Sequence, residues 1–176
     1  KTYLGDRAVH EAEFNFNNKR VALLGLAFKK RTNDMRDSAA LKAVEALLGR
    51  GVAEIRAYDP LATTAAQDNW FNPEKNHLFE RITYHKTARA AIEGSDAVFI
   101  STDWEEFRGV ARTIETTAKL PYLVIDGRRM IADFSSLVEN GYDYLPVGGP
   151  FLKGALKPAS AANGQAEESI PDLRTA

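Results

Sequence analysis

The residues at positions 25–38, "GLAFKKRTNDMRDS", put Lys29, Lys30, Arg31 and Arg36 beside Asp34 and Asp37, directly after the apolar run "RVALLGL". A second basic pair, Arg128 and Arg129, closes "YLVIDGRR" at 122–129. Guanidinium groups present a planar fork that suits phosphate oxygens, and an ammonium adds a compact point charge. If the two clusters meet, they form a site for an anionic ligand with phosphates, a nucleotide above all. Each residue also has a plainer reading. Lys29, Lys30 and Arg31 make a solvated charge run, Arg36 pairs with Asp34 or Asp37 to brace the loop, and Asp126-Gly127 is a turn after a strand. Asp59 stands where an acidic residue often takes ribose hydroxyls, but Asp-Pro is also a plain strand terminator. Trp104 reads as a packing residue. Phe28 belongs either to the core or to a contact with a base or ribose.

What the chain lacks narrows the chemistry. The first turn has Gly25 but no G-x-G-x-x-G, which argues against a dinucleotide pyrophosphate held tightly at the following helix; Lys29 would supply the charge instead. There is no cysteine, hence no disulfide, thiolate metal site or thiol nucleophile. His10, His77 and His85 are scattered without metal-ligand spacing. With 23 Lys+Arg against 24 Asp+Glu the net charge is −1, so no global field draws the protein to nucleic acid or membrane. No apolar run is long enough to span a bilayer, and the first residues do not form a signal peptide. The expected compartment is the cytoplasm. The chain opens on Lys1 rather than Met, as expected of a piece of a longer protein.

These side chains need elements to hold them. The 176 residues are 44% hydrophobic, which suits one medium domain with a core. Strands are expected at 20–26, 53–60, 80–85, 96–102, 122–129 and 142–148. Helices are expected near 38–50, 87–94, 103–118 (interrupted by Gly109) and 133–141, and a helix plus loop over 63–79. In the first helix Leu41, Val44, Leu47 and Leu48 share a face, Asp37 or Ser38 caps the start and Gly51 the end. The alternation predicts an α/β fold: a Rossmann-like, doubly wound, mainly parallel sheet with helices on both faces and ligands at the carboxyl ends of the strands. Periodicity alone leaves the flavodoxin-like strand order open. The expected division is 1–18 as a linker or the end of a preceding helical region, 19–150 as the domain, and 151–176 as a disordered tail.

The runs "VALLGLAFKKRTNDMRDS", "AYDP", "STDWEEF" and "IDGRR", in that order over about residues 19–147, resemble the C-terminal, UDP-binding domain of the UDP-glucose/GDP-mannose dehydrogenase family, and its UDP-glucose 6-dehydrogenases most closely. "STDW" departs from the family's usual "TEW" by one methylene. The resemblance implies an NAD-binding domain and a central helical dimerisation region outside this chain, in a homo-oligomeric enzyme. It implies that Phe28, Lys29 and Arg128 contact a UDP-sugar and that Arg36 reaches across the cleft to NAD. It further implies oxidation of the sugar C6 alcohol to a carboxylate with two NAD+, through a thiohemiacetal on a cysteine this chain does not contain. The chain alone would therefore capture substrate without catalysing. Two other readings stand beside this one: the same domain of a GDP-mannose or UDP-N-acetyl-sugar dehydrogenase, and a stand-alone nucleotide-binding module.

Overall fold

The computed structural model describes residues 3–155. Six parallel strands run Arg20–Leu24 (β1), Glu54–Tyr58 (β2), Ile82–Tyr84 (β3), Ala97–Ile100 (β4), Leu123–Asp126 (β5) and Asp143–Pro146 (β6). Their spatial order is β3-β2-β1-β4-β5-β6. This is the Rossmann order, with its switch point between β1 and β4, and the flavodoxin-like alternative is excluded.

Side chains alternate across a strand, so each strand feeds two cores. Val21, Leu23, Ile55, Ala57, Leu123 and Ile125 pack on one face with Val44, Leu47 and Leu48 of helix α2 (Ala39–Gly49). Ala22, Leu24, Val98, Ile100 and Val124 pack on the other. There they meet α4 (Ala88–Ile92), α5 (Val110–Thr117) and α6 (Phe134–Glu139) through Ile92, Ile114 and Leu137. Burial on both faces explains the near-continuous apolar sequence of β1, β4 and β5.

Several elements take a more definite form than the sequence-based expectation gave them. The cap of α2 is Ser38, whose hydroxyl accepts from the Ala40 amide at 3.1 Å. Asp37 instead adopts a left-handed φ of 58°. Residues 63–79 form a single turn, Thr63–Ala65 (α3), then a π-helical turn Ala66–Trp70; a 3-10 turn covers His77–Arg81. The interruption expected at Gly109 is the end of a 3-10 turn, Glu105–Gly109, that runs into α5.

The segment before β1 is not a plain linker. Tyr3–His10 form a helix (α1) that lies on the β4–β6 half of the sheet, with Ala8 in the core. Arg7 is buried there and donates to the carbonyls of Pro146 and Gly149, both at 2.8 Å, while it pairs with Glu11. At the other end Leu152 bridges antiparallel to Tyr144, and the Ala155 amide donates to the Val138 carbonyl at 2.8 Å. Residues 151–155 therefore belong to the ordered domain; the rest of the expected tail lies outside the described residues.

The register brings the chemistry together. Tyr58, Leu24, Ile100, Asp126 and Pro146 pair in turn across the sheet and form one row at its carboxyl edge. The segments after β1, β2, β4 and β5 all rise from that row.

Candidate functional site at the carboxyl edge

The turn after β1 is the best-braced part of this edge. The Gly25 amide donates to the Tyr58 carbonyl at 2.8 Å. Asp59 Oδ2 accepts from the amides of Leu26 (2.7 Å) and Ala27 (3.0 Å). The three carbonyls receive hydroxyls: Ser101 donates to Gly25, Ser38 to Leu26 at 2.6 Å and Thr102 to Ala27 at 2.6 Å. All six backbone polar groups of residues 25–27 are thus bonded within the protein, as a buried bend requires. A dinucleotide fold offers the amides of this turn to pyrophosphate. Here a carboxylate holds two of them, so a ligand's charge has to be met by side chains.

Asp59 is the organiser of the bend. It is 3% exposed, and besides the two amides it accepts from the Trp104 indole Nε1 at 3.0 Å on Oδ2 and from the Leu61 and Ala62 amides at 2.9 and 2.8 Å on Oδ1. A residue with five internal donors is a structural knot, and neither a ribose contact nor only a strand terminator. Trp104 is confirmed as a packing residue and gains this polar role.

Asp126 does the same after β5. It is fully buried and accepts from the amides of Arg128 (3.1 Å), Met130 (3.0 Å) and Ile131 (3.1 Å) and from the Tyr144 hydroxyl (2.9 Å). Burial, with Asp126 adjacent, raises the pKa of that phenol. The turn reading of Asp126-Gly127 is correct, and its product is a rigid platform under Arg128.

The side chains expected to act stand out from these two platforms. Phe28 is 51% exposed, which removes it from the core. Its amide donates to the Asp34 carbonyl at 2.8 Å, closing the loop that presents Lys29. Lys29 is exposed and in no ion pair among the described residues. Lys30 and Arg31 both face Glu105, at 2.8 and 3.7 Å, and Lys30 holds the Glu105 carboxyl below its ordinary range. Arg36 pairs with Asp34 through Nε and Nη2, the latter at 2.7 Å, and lowers the Asp34 pKa to about 2. Arg128 reaches Asp103 at 3.4 Å. Arg31 (φ 64°) and Arg129 (φ 50°) sit in the left-handed region, as Asp37 does, so the first loop holds two strained non-glycine residues and the second one.

Phe28 and Lys29 follow β1 and Arg128 follows β5, with β4 between them, so the two loops rise about 10 Å apart by strand spacing. Residues 101–104 fill the gap. Arg36 lies apart, at the outer end of the first loop, with 80% of its side chain exposed. An apolar cavity of about 250 Å³, walled by Leu4, Phe16, Ala43, Leu47, Phe99 and Ile125, lies between α1, α2 and the sheet, and Arg128 stands at its margin. No group of three potential metal ligands occurs among the described residues, and none of their helices is long and apolar enough to cross a membrane.

Ser38 was expected as a cap, but the hydroxyl bonds of Ser38, Ser101 and Thr102 to the carbonyls of the 25–27 turn, and the Asp103–Arg128 contact, were not anticipated. The signal for Ser101 and Thr102 was polarity at the end of a buried strand, in "FIST".

Known proteins share this arrangement of sequence. The family model described as "UDP-glucose/GDP-mannose dehydrogenase family, UDP binding domain" matches residues 22–133. UDP-glucose 6-dehydrogenase AglM of Haloferax volcanii is 39% identical over 130 residues, covering 71% of this chain and 27% of its own length. The UDP-glucose 6-dehydrogenase of Pseudomonas aeruginosa is 37% identical, covering 77% and 29%. The chain thus spans somewhat over a quarter of the length of these relatives. Among solved structures, a UDP-glucose dehydrogenase from Pyrobaculum islandicum superposes with a TM-score of 0.56 at 27% identity, over 73% of this chain and 27% of that one. A UDP-D-ManNAc dehydrogenase from Pyrococcus horikoshii does so with a TM-score of 0.57 at 28% identity, over 83% and 29%. From the matched residues, the chain belongs to the UDP-glucose/GDP-mannose dehydrogenase family, of which it forms the UDP-binding domain.

Proposed function

We propose that this domain holds the UDP-sugar of an NAD-dependent UDP-glucose 6-dehydrogenase, as the C-terminal part of the full-length enzyme. The observation that carries this reading is the pair of braced loops on one sheet edge, presenting Phe28 and Lys29 from one side and Arg128 from the other. Lys29 supplies charge to the diphosphate, Arg128 a second contact from across the edge, and Phe28 an exposed ring for the nucleoside or sugar. NAD would be bound mainly by a separate domain, since the amides of the 25–27 turn are already taken; Arg36, exposed at the outer end of the loop, faces the cofactor side. The oxidation needs a nucleophilic thiol to hold the aldehyde between two hydride transfers. This chain has no cysteine. Its part is to fix the remote UDP group, whose binding energy positions the sugar. The same reading makes the complete enzyme a cytoplasmic homo-oligomer.

Calorimetric titration of UDP, and of GDP in parallel, tests the assignment. UDP is expected to bind and GDP to bind much more weakly. Lys29→Ala and Arg128→Ala should each weaken UDP by roughly tenfold to a hundredfold, the value of a hydrogen bond to a charged group. Arg36→Ala should leave UDP binding intact. Equal affinity for GDP, or no UDP binding up to millimolar concentration, would overturn the reading. The isolated chain is expected to reduce no NAD+ when given UDP-glucose, and NADH formation would contradict its role as a binding domain only. The 28% identity to the Pyrococcus horikoshii protein favours one second reading, a UDP-N-acetyl-sugar substrate, which competition between the two UDP-sugars would reveal.

A further inference from the structure

We propose that Thr102 is a positioning residue for the site, and that the run 101–104 ties the Phe28 and Lys29 loop to the Arg128 loop. The inference rests on the UDP-sugar reading of this edge. Four consecutive side chains after β4 each bind a different piece of the site. The Ser101 hydroxyl donates to the Gly25 carbonyl and the Thr102 hydroxyl to the Ala27 carbonyl at 2.6 Å. The Trp104 indole donates to the Asp59 oxygen that already holds the Leu26 and Ala27 amides. Asp103 faces the other way and accepts from Arg128.

Thr102 has the decisive place among them. The peptide unit joining Ala27 to Phe28 is bound at both ends: its carbonyl accepts from Thr102, and its N–H donates to the Asp34 carbonyl at 2.8 Å. A peptide unit is planar, so fixing both polar ends fixes the direction in which Phe28 leaves the turn and Lys29 follows. Thr102 is 0% exposed, and no water can replace its hydroxyl. The turn lies directly against it: a Cβ on Gly25, whose φ is +94°, would stand 2.5 Å from the Thr102 Cβ. Thr102 itself is buried away from solvent, so its effect on a ligand passes through the loop.

The test uses Thr102→Val, which removes the hydroxyl at nearly constant shape, and Thr102→Ser, which keeps it. Ser101→Ala serves as a second probe if the valine variant does not fold. Two measurements are made on the whole chain: calorimetric UDP affinity, and amide hydrogen exchange at Phe28 against Val98 and Val124 of the central strands. In Thr102→Val the UDP Kd should rise by up to about tenfold, the limit reached if binding has to restore in full the loop order that this hydrogen bond fixes in the free chain. Thr102→Ser should stay within about twofold of the parent. In a Lys29→Ala background the valine effect should shrink, with Phe28 alone left to report the direction of the loop. Phe28 should exchange faster in Thr102→Val while Val98 and Val124 do not change. Equal losses in the valine and serine variants, an effect fully additive with Lys29→Ala, or unchanged Phe28 exchange would overturn the proposal. If the parent chain binds no UDP, the ligand reading fails by itself. The exchange arm then decides the positioning role, supported by Phe28 protection lost with valine and kept with serine, and refuted otherwise.

Discussion

Two buried aspartates turn the ends of β2 and β5 into rigid bends. Asp126 keeps its platform partly through the Tyr144 phenol, so Tyr144→Phe should cost about 1 kcal/mol of stability, measured by urea unfolding. Asp34 offers a cleaner titration. Its pKa near 2 comes first from the Arg36 side chain and then from the Arg36 amide. A carboxylate lowered in the folded state favours that state above its unfolded value and loses the contribution as pH falls through the folded one. The Asp34–Arg36 brace should therefore hold above about pH 4 and be released towards pH 2. Arg36→Ala should return Asp34 towards about 3.9, read from its side-chain carbon shift by NMR against pH. Because the pair is exposed, its loss leaves global stability nearly unchanged. The Arg36–Asp34 pair was legible in the sequence, whereas the residues around Asp59 and Asp126 were visible as types but not as partners. Asp59 and Trp104 are 45 positions apart and Thr102 and Ala27 75 apart, so no local pattern announces their bonds. For Asp59 the Asp-Pro step pointed to a strand end, while its inward direction depends on donors from two other segments as well as the Leu61 and Ala62 amides.

At the level of elements the physics was far more readable. Strands buried on both faces must be apolar, and parallel strands must be separated by crossovers, so β1, β4 and β5 with their helices stood out of the sequence. The weak points were the elements whose stability is borrowed. β3 is a three-residue edge strand, and α1, "YLGDRAVH", combines a glycine with a buried charge. A helix of eight residues is not stable alone. What holds α1 is its packing on the sheet and the two carbonyls bound by Arg7 near the end of β6. Arg7→Ala should cost about 2 kcal/mol by loss of charged hydrogen bonds, seen as a lower urea midpoint, and should increase amide exchange around Val147 before the central strands. Ser38→Ala removes both the α2 cap and the bond to Leu26, and should cost about 1–2 kcal/mol in the same assay.

Across the whole molecule the charges are balanced twice over. The net charge is −1, and at the carboxyl edge Lys30 and Arg31 share Glu105, Arg36 holds Asp34 and Arg128 touches Asp103. Paired charges cancel beyond a Debye length, about 8 Å at physiological salt. The ion pairs that brace the loops thus also weaken the field that would guide an anion in from solution, although Lys29 is in no ion pair among the described residues and Lys30 and Arg31 share a single carboxylate. Encounter with UDP should be governed by diffusion and orientation, with an association rate that changes by no more than about threefold between low and physiological salt in stopped-flow measurements. Under the proposed function a phosphate and the Asp103 carboxylate would compete for the Arg128 guanidinium, so salt would act instead on how long the ligand stays. On that reading the residence time, and not the speed of capture, is the property this edge would set.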